Sequence, residues 1–360
     1  MNPATWSHKE RVERGIALAA LAFVLTAPAF LNNANWLNNI LTETFFFGIA
    51  AASLIFLYAY GGMVSLAQTA LFGITGIILG NMVTEGGPGG TSKGLHLGWD
   101  PTLAVVLAII ATTLIGLIGG AVASRSTGIY FLMITLTYSV IATYTLGQVT
   151  KISGFSGIGG IKAPGWVGDV VAHPNRLYYI ALGVAIVVYL LIRVLVRTPF
   201  GISLQGVRDE PIRMASLGYA VPLHRTIAFG FAAFIAALAG VLYAWWAGQV
   251  APGDVDLPQT ISLLIMAVIG GLVRIEGAWV GAFAFILMQN YISSNTHVPL
   301  LGFGGTLFGG SFNTLIGIIF LAIVVVSPDG LMGLWGRIFE TRRRPNAGES
   351  AGKPAAEPAK

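Results

Sequence analysis

The chain contains no cysteine and few charged residues. Only 10% of its 360 residues are Asp, Glu, Lys or Arg, whereas a typical soluble domain has about 25%. The lack of cysteine excludes disulfides, thiolate metal sites and cysteine nucleophiles. The chain has instead 55% hydrophobic residues and 47 glycines, with a mean hydropathy of +0.77. This composition is typical of a polytopic membrane protein.

The few charges are grouped, and the uncharged stretches between the groups predict about ten membrane-spanning helices, since each crossing needs about 20 residues. Between residues 226 and 253, for example, there is no Asp, Glu, Lys or Arg. We therefore expect an all-α polytopic membrane protein. The predicted spans are residues 15–31, 40–60, 63–83, 101–123, 128–150, 177–196, 227–247, 259–273, 277–293 and 313–327.

The distribution of basic residues predicts that both termini are cytoplasmic. With ten spans and the N-terminus inside, 16 of the 20 Lys and Arg residues fall in cytoplasmic segments, which is the bias that membrane proteins show. The expected divisions are a cytoplasmic segment 1–14, a membrane domain 15–336 with a cytoplasmic loop 197–226, and a basic tail 337–360. The composition of this tail is typical of disordered segments.

The first predicted span has an alternative interpretation. Arg14, the apolar run 16–26 and the Ala-Pro-Ala sequence at 27–29 also resemble a secretory signal with its cleavage site. Cleavage there would leave nine spans and place the new N-terminus outside. We expect the segment to be retained as an anchor.

Two glycine pairs occupy similar sequence contexts in the two halves of the chain. Gly61-Gly62 and Gly270-Gly271 each follow an apolar segment and precede another apolar segment that contains glycine. Paired glycine-interrupted segments are typical of transport pathways built on an inverted repeat. Glycine pairs are also common packing surfaces between membrane helices. The sequence leaves both interpretations open.

The sequence has no pattern typical of a catalytic or metal site. No H-E-x-x-H, Walker A or G-x-S-x-G motif occurs, and the histidines are scattered. Asp254 and Asp256 could be the carboxylate pair of a metal-dependent transferase, but a solvated acidic loop is the simpler interpretation. We expect no catalytic residue, no metal site and no cofactor in this chain. The five histidines are His8, His96, His173, His224 and His297.

Ionisable groups are scarce inside the predicted spans, which argues against an ion-coupled carrier. Glu43 lies at the outer end of the second span, and Arg274 and Glu276 are expected to pair in a tight cytoplasmic turn. The other polar residues at membrane depth are neutral. Of these, Ser65 and Gln68 stand next to the first glycine pair. They are the candidates to line a pathway for a neutral or zwitterionic solute.

The cytoplasmic loop 197–226 predicts one short helix, from Pro211 to Leu217. Asp209 or Glu210 can cap its start, Pro211 suits its first position, and Gly218 can end it. The helix is either an amphipathic linker that rests on lipid headgroups or a docking helix for a cytoplasmic partner that supplies energy. Its expected apolar contacts are Ile212, Ala215 and Leu217.

Several motifs resemble the branched-chain amino acid ABC permease family, and they are closer to its M-type than to its H-type subunit. Residues 60–68 (YGGMVSLAQ) resemble the family signature GYAGQVSLGHA, and residues 206–219 (GVRDEPIRMASLGY) resemble its cytoplasmic loop. Gln68 departs from the usual Gly-His of the signature, and residues 154–161 follow the family pattern loosely. The other matching segments are 128–136 (GIYFLMITL), 237–244 (ALAGVLYA), 266–272 (MAVIGGL) and 327–331 (SPDGL).

The resemblance implies a transport subunit of a bacterial inner-membrane importer that is not itself an enzyme. The implied partners are an H-type permease subunit, two cytoplasmic ATPases that bind ATP and Mg, a periplasmic solute-binding protein and membrane lipid, but no nucleic acid. The implied solutes are leucine, isoleucine and valine. Urea, short amides or other amino and aromatic acids are alternatives within the family. A self-contained channel or carrier, and a membrane-embedded enzyme, are alternatives outside it.

The resemblance also implies two sets of functional residues. Contact with the ATPases is expected at Arg208, Asp209, Glu210, Ala215, Leu217 and Gly218. The translocation pathway, with helix approach and bending around it, is expected at Gly61, Gly62, Ser65, Gln68, Gly270 and Gly271.

Overall fold

The computed structural model describes residues 37–84, 94–168, 170, 174–294, 317, 321 and 330–333, and these fold mainly into α-helices. A π-helical segment, Leu37–Thr42, precedes the first of them, and a 3-10 turn, Pro252–Val255, precedes α9. The helices are α1 (Glu43–Gly61), α2 (Gln68–Val83), α3 (Pro101–Ala123), α4 (Ile129–Gln148), α5 (Pro174–Arg197), α6 (Pro199–Asp209), α7 (Pro211–Ser216), α8 (Val221–Ala247), α9 (Leu257–Gly270) and α10 (Gly277–Ser294). Two-residue strands, β1 (Ile158–Gly159) and β2 (Gln249–Val250), pair antiparallel.

Five helices of the described part are long and apolar enough to cross a membrane, and α2 and α9 are shorter apolar helices. The chain therefore has the helical, polytopic character that its composition predicts. The predicted spans 15–31 and 313–327, and the terminal segments 1–14 and 337–360, lie outside the described residues except for 317 and 321. The five helices are Ile40–Gly61, Pro101–Ala123, Ile129–Gln148, Pro174–Arg197 and Val221–Ala247.

Helix α1 is the centre of the bundle, because it is apolar on every side. It is 94% buried, against 22% for α3, and α8 and α10 pack on it. Helix α8 is rich in alanine and glycine, which lets its neighbours approach closely. A Cβ added at Gly240 would overlap the carbonyl of Phe72 in α2, and one at Gly230 would overlap Leu117 in α3.

Both glycine pairs end a helix. Gly62 follows α1 with a φ of +65°, and Gly271 follows α9 with a φ of +108°. At α1 the N–H of Gly62 bonds to the carbonyl of Tyr58, which is the bond of the αL C-cap motif, and the N–H of Met63 bonds to the carbonyl of Leu57. The span predicted over 63–83 is therefore wrong at its start, because residues 62–67 are not helical and α2 begins at Gln68.

The loop 197–226 contains two helices rather than the predicted one. Helix α6 was missed, although Thr198 caps it by accepting a hydrogen bond from the Gly201 N–H and Pro199 takes its first position. Helix α8 already begins at Val221, before the predicted end of the loop. Glu210 takes the N-cap position of α7 without a side-chain hydrogen bond, so its predicted capping bond is absent.

The residues predicted to make the apolar contacts of α7 are exposed within the described part of the chain. Ile212 is 82% exposed and Leu217 is 67% exposed, and α7 has no buried residue. Helix α7 follows α6 and lies against α6 and α8. Its predicted end is confirmed, since Gly218 follows it with a φ of +91°.

Loops that the predicted topology assigns to one side of the membrane meet in the structure. At one end of the bundle the hydroxyl of Thr226 donates to Ser124 at 3.0 Å, and Arg193 pairs with Glu276 at 2.6 Å. At the other end β1 pairs with β2. We call the first of these ends the α6–α7 end. The predicted pairing of Glu276 with Arg274 is wrong, because the C-terminal half of α5 brings Arg193 to Glu276.

Candidate functional site

Arg208 joins the two sets of predicted site residues. It lies in the last turn of α6, and its Nη1 donates a hydrogen bond to the carbonyl of Ala59 in α1. Its aliphatic part covers Gly62, where an added Cβ would lie 2.6 Å from the Cγ of Arg208. Its Nε donates to Oδ1 of Asp209 at 2.7 Å. The cytoplasmic-loop motif and the glycine signature are thus in direct contact.

The charges around Arg208 suit this position. The carbonyl of Ala59 belongs to the last turn of α1, where the helix dipole is negative and carbonyls lack partners inside the helix. The positively charged guanidinium of Arg208 is therefore stabilising at the C-terminal end of α1. The hydrogen bond from Arg208 lowers the pKa of Asp209, which is fully exposed to solvent. Asp209 therefore stays ionised and faces away from the bundle.

The other residues predicted to contact an ATPase form an exposed surface. Helix α7 follows Asp209 directly and buries none of its residues. Most of its side chains are available to another protein because they are exposed in the described chain. The exposed members of this surface are Asp209, Glu210, Ile212, Ala215, Leu217 and Gly218.

Ser65 and Gln68 lie in a buried network of hydrogen bonds next to the first glycine pair. Both are 0% exposed. The hydroxyl of Ser53 in α1 donates to Oε1 of Gln68 at 3.1 Å, and Nε2 of Gln68 donates to Oγ of Ser65 at 3.4 Å. The N–H of Leu66 donates to Oγ1 of Thr135 in α4 at 3.1 Å. The network ties α1, α2 and α4 together around the non-helical segment 62–67.

Sequence reasoning singled out Ser65 and Gln68 but not their partners. Thr135 carries a signal, since it lies in the family-like segment 128–136. Ser53 carries none, because a serine after three alanines in an apolar helix is most often a packing residue.

The second glycine pair lies where the end of α9 and the start of α10 pack backbone against backbone. A Cβ added at Gly270 would overlap the carbonyl of Gly277, and one at Gly277 would lie 2.7 Å from the carbonyl of Gly270. Gly271 faces Gly330, where an added Cβ would lie 2.6 Å from the Cα of Gly271. Only residues without a side chain allow this approach.

A polar cluster at the α6–α7 end was not predicted as a unit. The hydroxyl of Tyr189 donates to Oε1 of Glu276 at 2.9 Å, and Nη2 of Arg193 donates to the same oxygen at 2.6 Å. Burial alone would raise the pKa of Glu276, but hydrogen bonds from its own backbone, Tyr189 and Arg193 outweigh it and lower the pKa. The cluster ties α5 to the loop between α9 and α10.

The potential metal ligands in the part of the chain that the structure describes are dispersed. No three His, Asp or Glu side chains converge there. Asp254 accepts a hydrogen bond from the N–H of Ala251 at 2.8 Å, and Asp256 accepts one from the N–H of Leu257 at 2.7 Å. Both acids therefore bond to the backbone of their own loop, in agreement with the simpler interpretation of that segment.

Curated relatives of the chain are permease subunits. It is 24% identical to the "Probable branched-chain amino acid transport permease protein LivM" of Methanocaldococcus jannaschii over 68% of this chain and 72% of the relative. It is 24% identical to the "High-affinity branched-chain amino acid transport system permease protein LivM" of Escherichia coli over 50% of this chain and 48% of the relative. It is also 28% identical to the probable LivH permease protein of Methanocaldococcus jannaschii over 40% of this chain and 44% of the relative.

The family match is broader than these pairwise similarities. No solved structure matches the chain. Residues 36–327 match the family described as "Branched-chain amino acid transport system / permease component", which includes every helix from α1 to α10. The chain therefore belongs to the branched-chain amino acid transport system permease family.

Proposed function

We propose that this chain is one permease subunit of a binding-protein-dependent ABC importer for leucine, isoleucine and valine in a bacterial inner membrane. Its partners in this proposal are a homologous H-type permease, two cytoplasmic ATPases and a periplasmic binding protein. The observation that carries the proposal is the contact of Arg208 with Ala59 and Gly62. It links an exposed cytoplasmic surface to the central helix of the bundle.

Energy has to come from another chain in this mechanism. The sequence contains no nucleotide-binding motif, and ATP and Mg are therefore assigned to the partner ATPases. The exposed helix α7 supplies a surface on which an ATPase can dock. Movement of α7 is passed to α6 and, through Arg208, to the end of α1. ATP binding shifts the permease between outward- and inward-open states only if the ATPases contact α7 differently in the two states.

The buried network around Ser65 and Gln68 is the proposed point at which this movement reaches the solute pathway. It begins three residues after Gly62, and it holds the non-helical segment 62–67 against α1 and α4. Non-helical backbone at membrane depth is tolerated only inside protein or along a wet cavity. The glycines at the α9–α10 crossing are proposed as the second point of close helix approach.

Uptake by the complete complex in proteoliposomes tests the proposal. Native complex with its binding protein is expected to accumulate radiolabelled leucine only when ATP is present. The double variant Asp209→Ala, Glu210→Ala is expected to lose this uptake, because it removes the acidic edge of the docking surface. The matched control is Asp100→Ala, which removes another exposed carboxylate. Asp100 lies far from the docking surface along α2, because the N–H of its neighbour Trp99 donates to the carbonyl of Met82 near the C-terminal end of α2.

Each outcome separates the alternatives. Leucine movement without ATP would refute the importer and support a channel or carrier. ATP-dependent uptake of urea or a short amide instead of leucine would keep the importer and change the solute. An equal loss of leucine uptake in the Asp100→Ala control would show that the loss does not depend specifically on the docking surface.

A further inference from the structure

Helix α2 begins inside the protein with its first turn uncapped. Gln68 is 0% exposed, and Thr69 and Ala70 are each 2% exposed. The first N–H groups of a helix have no acceptor within the helix, and the N-cap residue here, Ala67, has no side chain that could accept their hydrogen bonds. The N–H of Leu71 is the first to reach a carbonyl, that of Ala67.

The N–H groups of Gln68, Thr69 and Ala70 have no acceptor within the described part of the chain. Buried backbone donors are paired in the great majority of cases. Three consecutive unpaired donors at one buried point therefore need a physical explanation.

A side chain at the same place has an unused donor as well. Oγ1 of Thr69 is buried and has no hydrogen-bond partner among the described residues. Thr69 is the second residue of α2, and the Cα–Cβ bonds of a helix tilt towards its N-terminus, so its side chain starts out on the side of the uncapped turn. The hydroxyl of Ser65 accepts bonds from Ala67 and Gln68. Ser65 donates to no described acceptor.

These groups share one chemical character. Each is a hydrogen-bond donor, and the start of a helix also carries partial positive charge. The combination favours an anion with several acceptor sites. A carboxylate has two oxygens with about four acceptor positions and no donor. A neutral urea or amide has a single carbonyl acceptor and no negative charge, so it satisfies fewer of these donors than a carboxylate does.

We propose that the first turn of α2, with the hydroxyls of Thr69 and Ser65, binds the carboxylate of the transported solute. This rests on the proposed importer function and deepens it, because it selects acids over urea and amides. The turn is closed to solvent here, so the solute reaches it in another state of the cycle. The route of opening is the segment 62–67, which Arg208 holds at Gly62.

The variant Thr69→Val tests the site, with Thr75→Val as its matched control. Thr75 lies on the same helix and is 0% exposed, but its hydroxyl is paired with Leu71 and Thr112. The complete complex is assayed for leucine taken up per ATP hydrolysed and for its thermal unfolding midpoint in detergent. Removing an unpaired buried hydroxyl is neutral or stabilising, whereas removing a paired one is destabilising.

Thr69→Val is expected to lower leucine uptake per ATP about tenfold, the effect of one hydrogen bond to a charged group, without lowering the unfolding midpoint. Thr75→Val is expected to lower the midpoint and to keep the native uptake per ATP. Unchanged uptake in Thr69→Val, or a fall in both its uptake and its midpoint, would overturn the proposal. Because native complex is run alongside, a failure of native ATP-dependent uptake identifies a failure of the importer proposal instead.

The variant Thr69→Asp tests the chemistry of the ligand. It places a carboxylate of the chain itself at the uncapped turn, and acidic residues are favourable in the first turn of a helix. Uptake is expected to be abolished while the unfolding midpoint stays at or above the native value. Thr75→Asp, in the middle of the helix, is expected to lower the midpoint strongly. A similar fall in Thr69→Asp would overturn the carboxylate assignment and leave a buried water as the occupant.

Discussion

Arg208 donates a hydrogen bond to the carbonyl of Ala59, 149 residues earlier in the chain. The bond connects the last turn of α6 to the last turn of α1, which is the most buried span of the described structure. Gly62 lies beside this contact, and its lack of a side chain leaves room for the aliphatic part of the Arg208 side chain. Arg208 therefore faces the permease itself, while Asp209 and α7 face outward.

Replacing Arg208 by alanine is expected to weaken the coupling of ATP hydrolysis to transport. Losing a hydrogen bond from a charged donor, worth about 1.5 kcal/mol, corresponds to about a tenfold fall in leucine uptake per ATP hydrolysed. Arg208→Lys should recover part of the loss, because lysine supplies a charged donor without the planar fork. The control is Arg125→Ala, an exposed arginine in the loop between α3 and α4. Equal effects of Arg208→Ala and Arg125→Ala would contradict a specific role for the Ala59 contact.

Replacing Gly62 by alanine is expected to disturb Arg208 as well as the backbone. A left-handed conformation costs a residue with a Cβ about 1–2 kcal/mol, and the new Cβ would meet the arm of Arg208 at 2.6 Å. Gly248→Ala is the matched control, since Gly248 also has positive φ (+67°) after the end of α8 but has nothing within 4 Å of an added Cβ. Both variants should lower the unfolding midpoint in detergent. Only Gly62→Ala should lower uptake per ATP, and equal uptake in the two would argue against the contact.

The hydrophobic pattern predicts most helices of the described part well. The uncharged run 101–123 coincides with α3, because Pro101 starts the helix and the charge of Arg125 excludes the next turn from the membrane. The pattern fails for a helix that is short and amphipathic and for an apolar segment that is not helical. Helix α6 was missed since it is short and amphipathic, and the start of α2 was placed too early since segment 62–67 is as apolar as a helix.

The sequence did not predict contacts between residues that are far apart in the chain. Arg193 and Glu276 are 83 residues apart, and their pairing depends on how α5 packs beside the loop between α9 and α10. Thr69 was recognised only as one neutral polar residue among several at membrane depth. Its significance comes from burial and from the absence of an acceptor in the described chain, which a sequence pattern does not contain.

Alanine at Gly277 is expected to destabilise the α9–α10 crossing by about 1–3 kcal/mol, the range found when a packed interior receives an extra carbon. The added Cβ would lie 2.7 Å from the carbonyl of Gly270, and backbone cannot move aside as a side chain can. The matched control is Gly183→Ala in α5, which has open space around it. Thermal unfolding in detergent should show a clear fall for Gly277→Ala and none for Gly183→Ala. Similar midpoints for the two variants would contradict the close backbone contact between Gly277 and Gly270.

The cluster of Glu276, Arg193 and Tyr189 is expected to make stability depend on acid pH. The pKa of Glu276 is lowered from 4.5 in the folded protein, so its ionised form stabilises the fold above that value. This contribution is lost as the pH falls through the lower, folded pKa. Because the side chains of Arg193 and Glu276 are both partly exposed, their ion pair contributes less than about 1 kcal/mol to the free energy of unfolding.

The measurement is the unfolding midpoint of native protein and of Glu276→Gln between pH 7 and pH 3. Native protein should unfold at the higher temperature at pH 7, because glutamine keeps one acceptor for Tyr189 but loses the charge that holds Arg193. The difference should shrink as the carboxylate of Glu276 takes up a proton and becomes as neutral as the amide. Arg193→Gln should show the same convergence, since it removes the other half of the ion pair. A difference that stays constant down to pH 3 would place the effect of the substitution in packing rather than in charge.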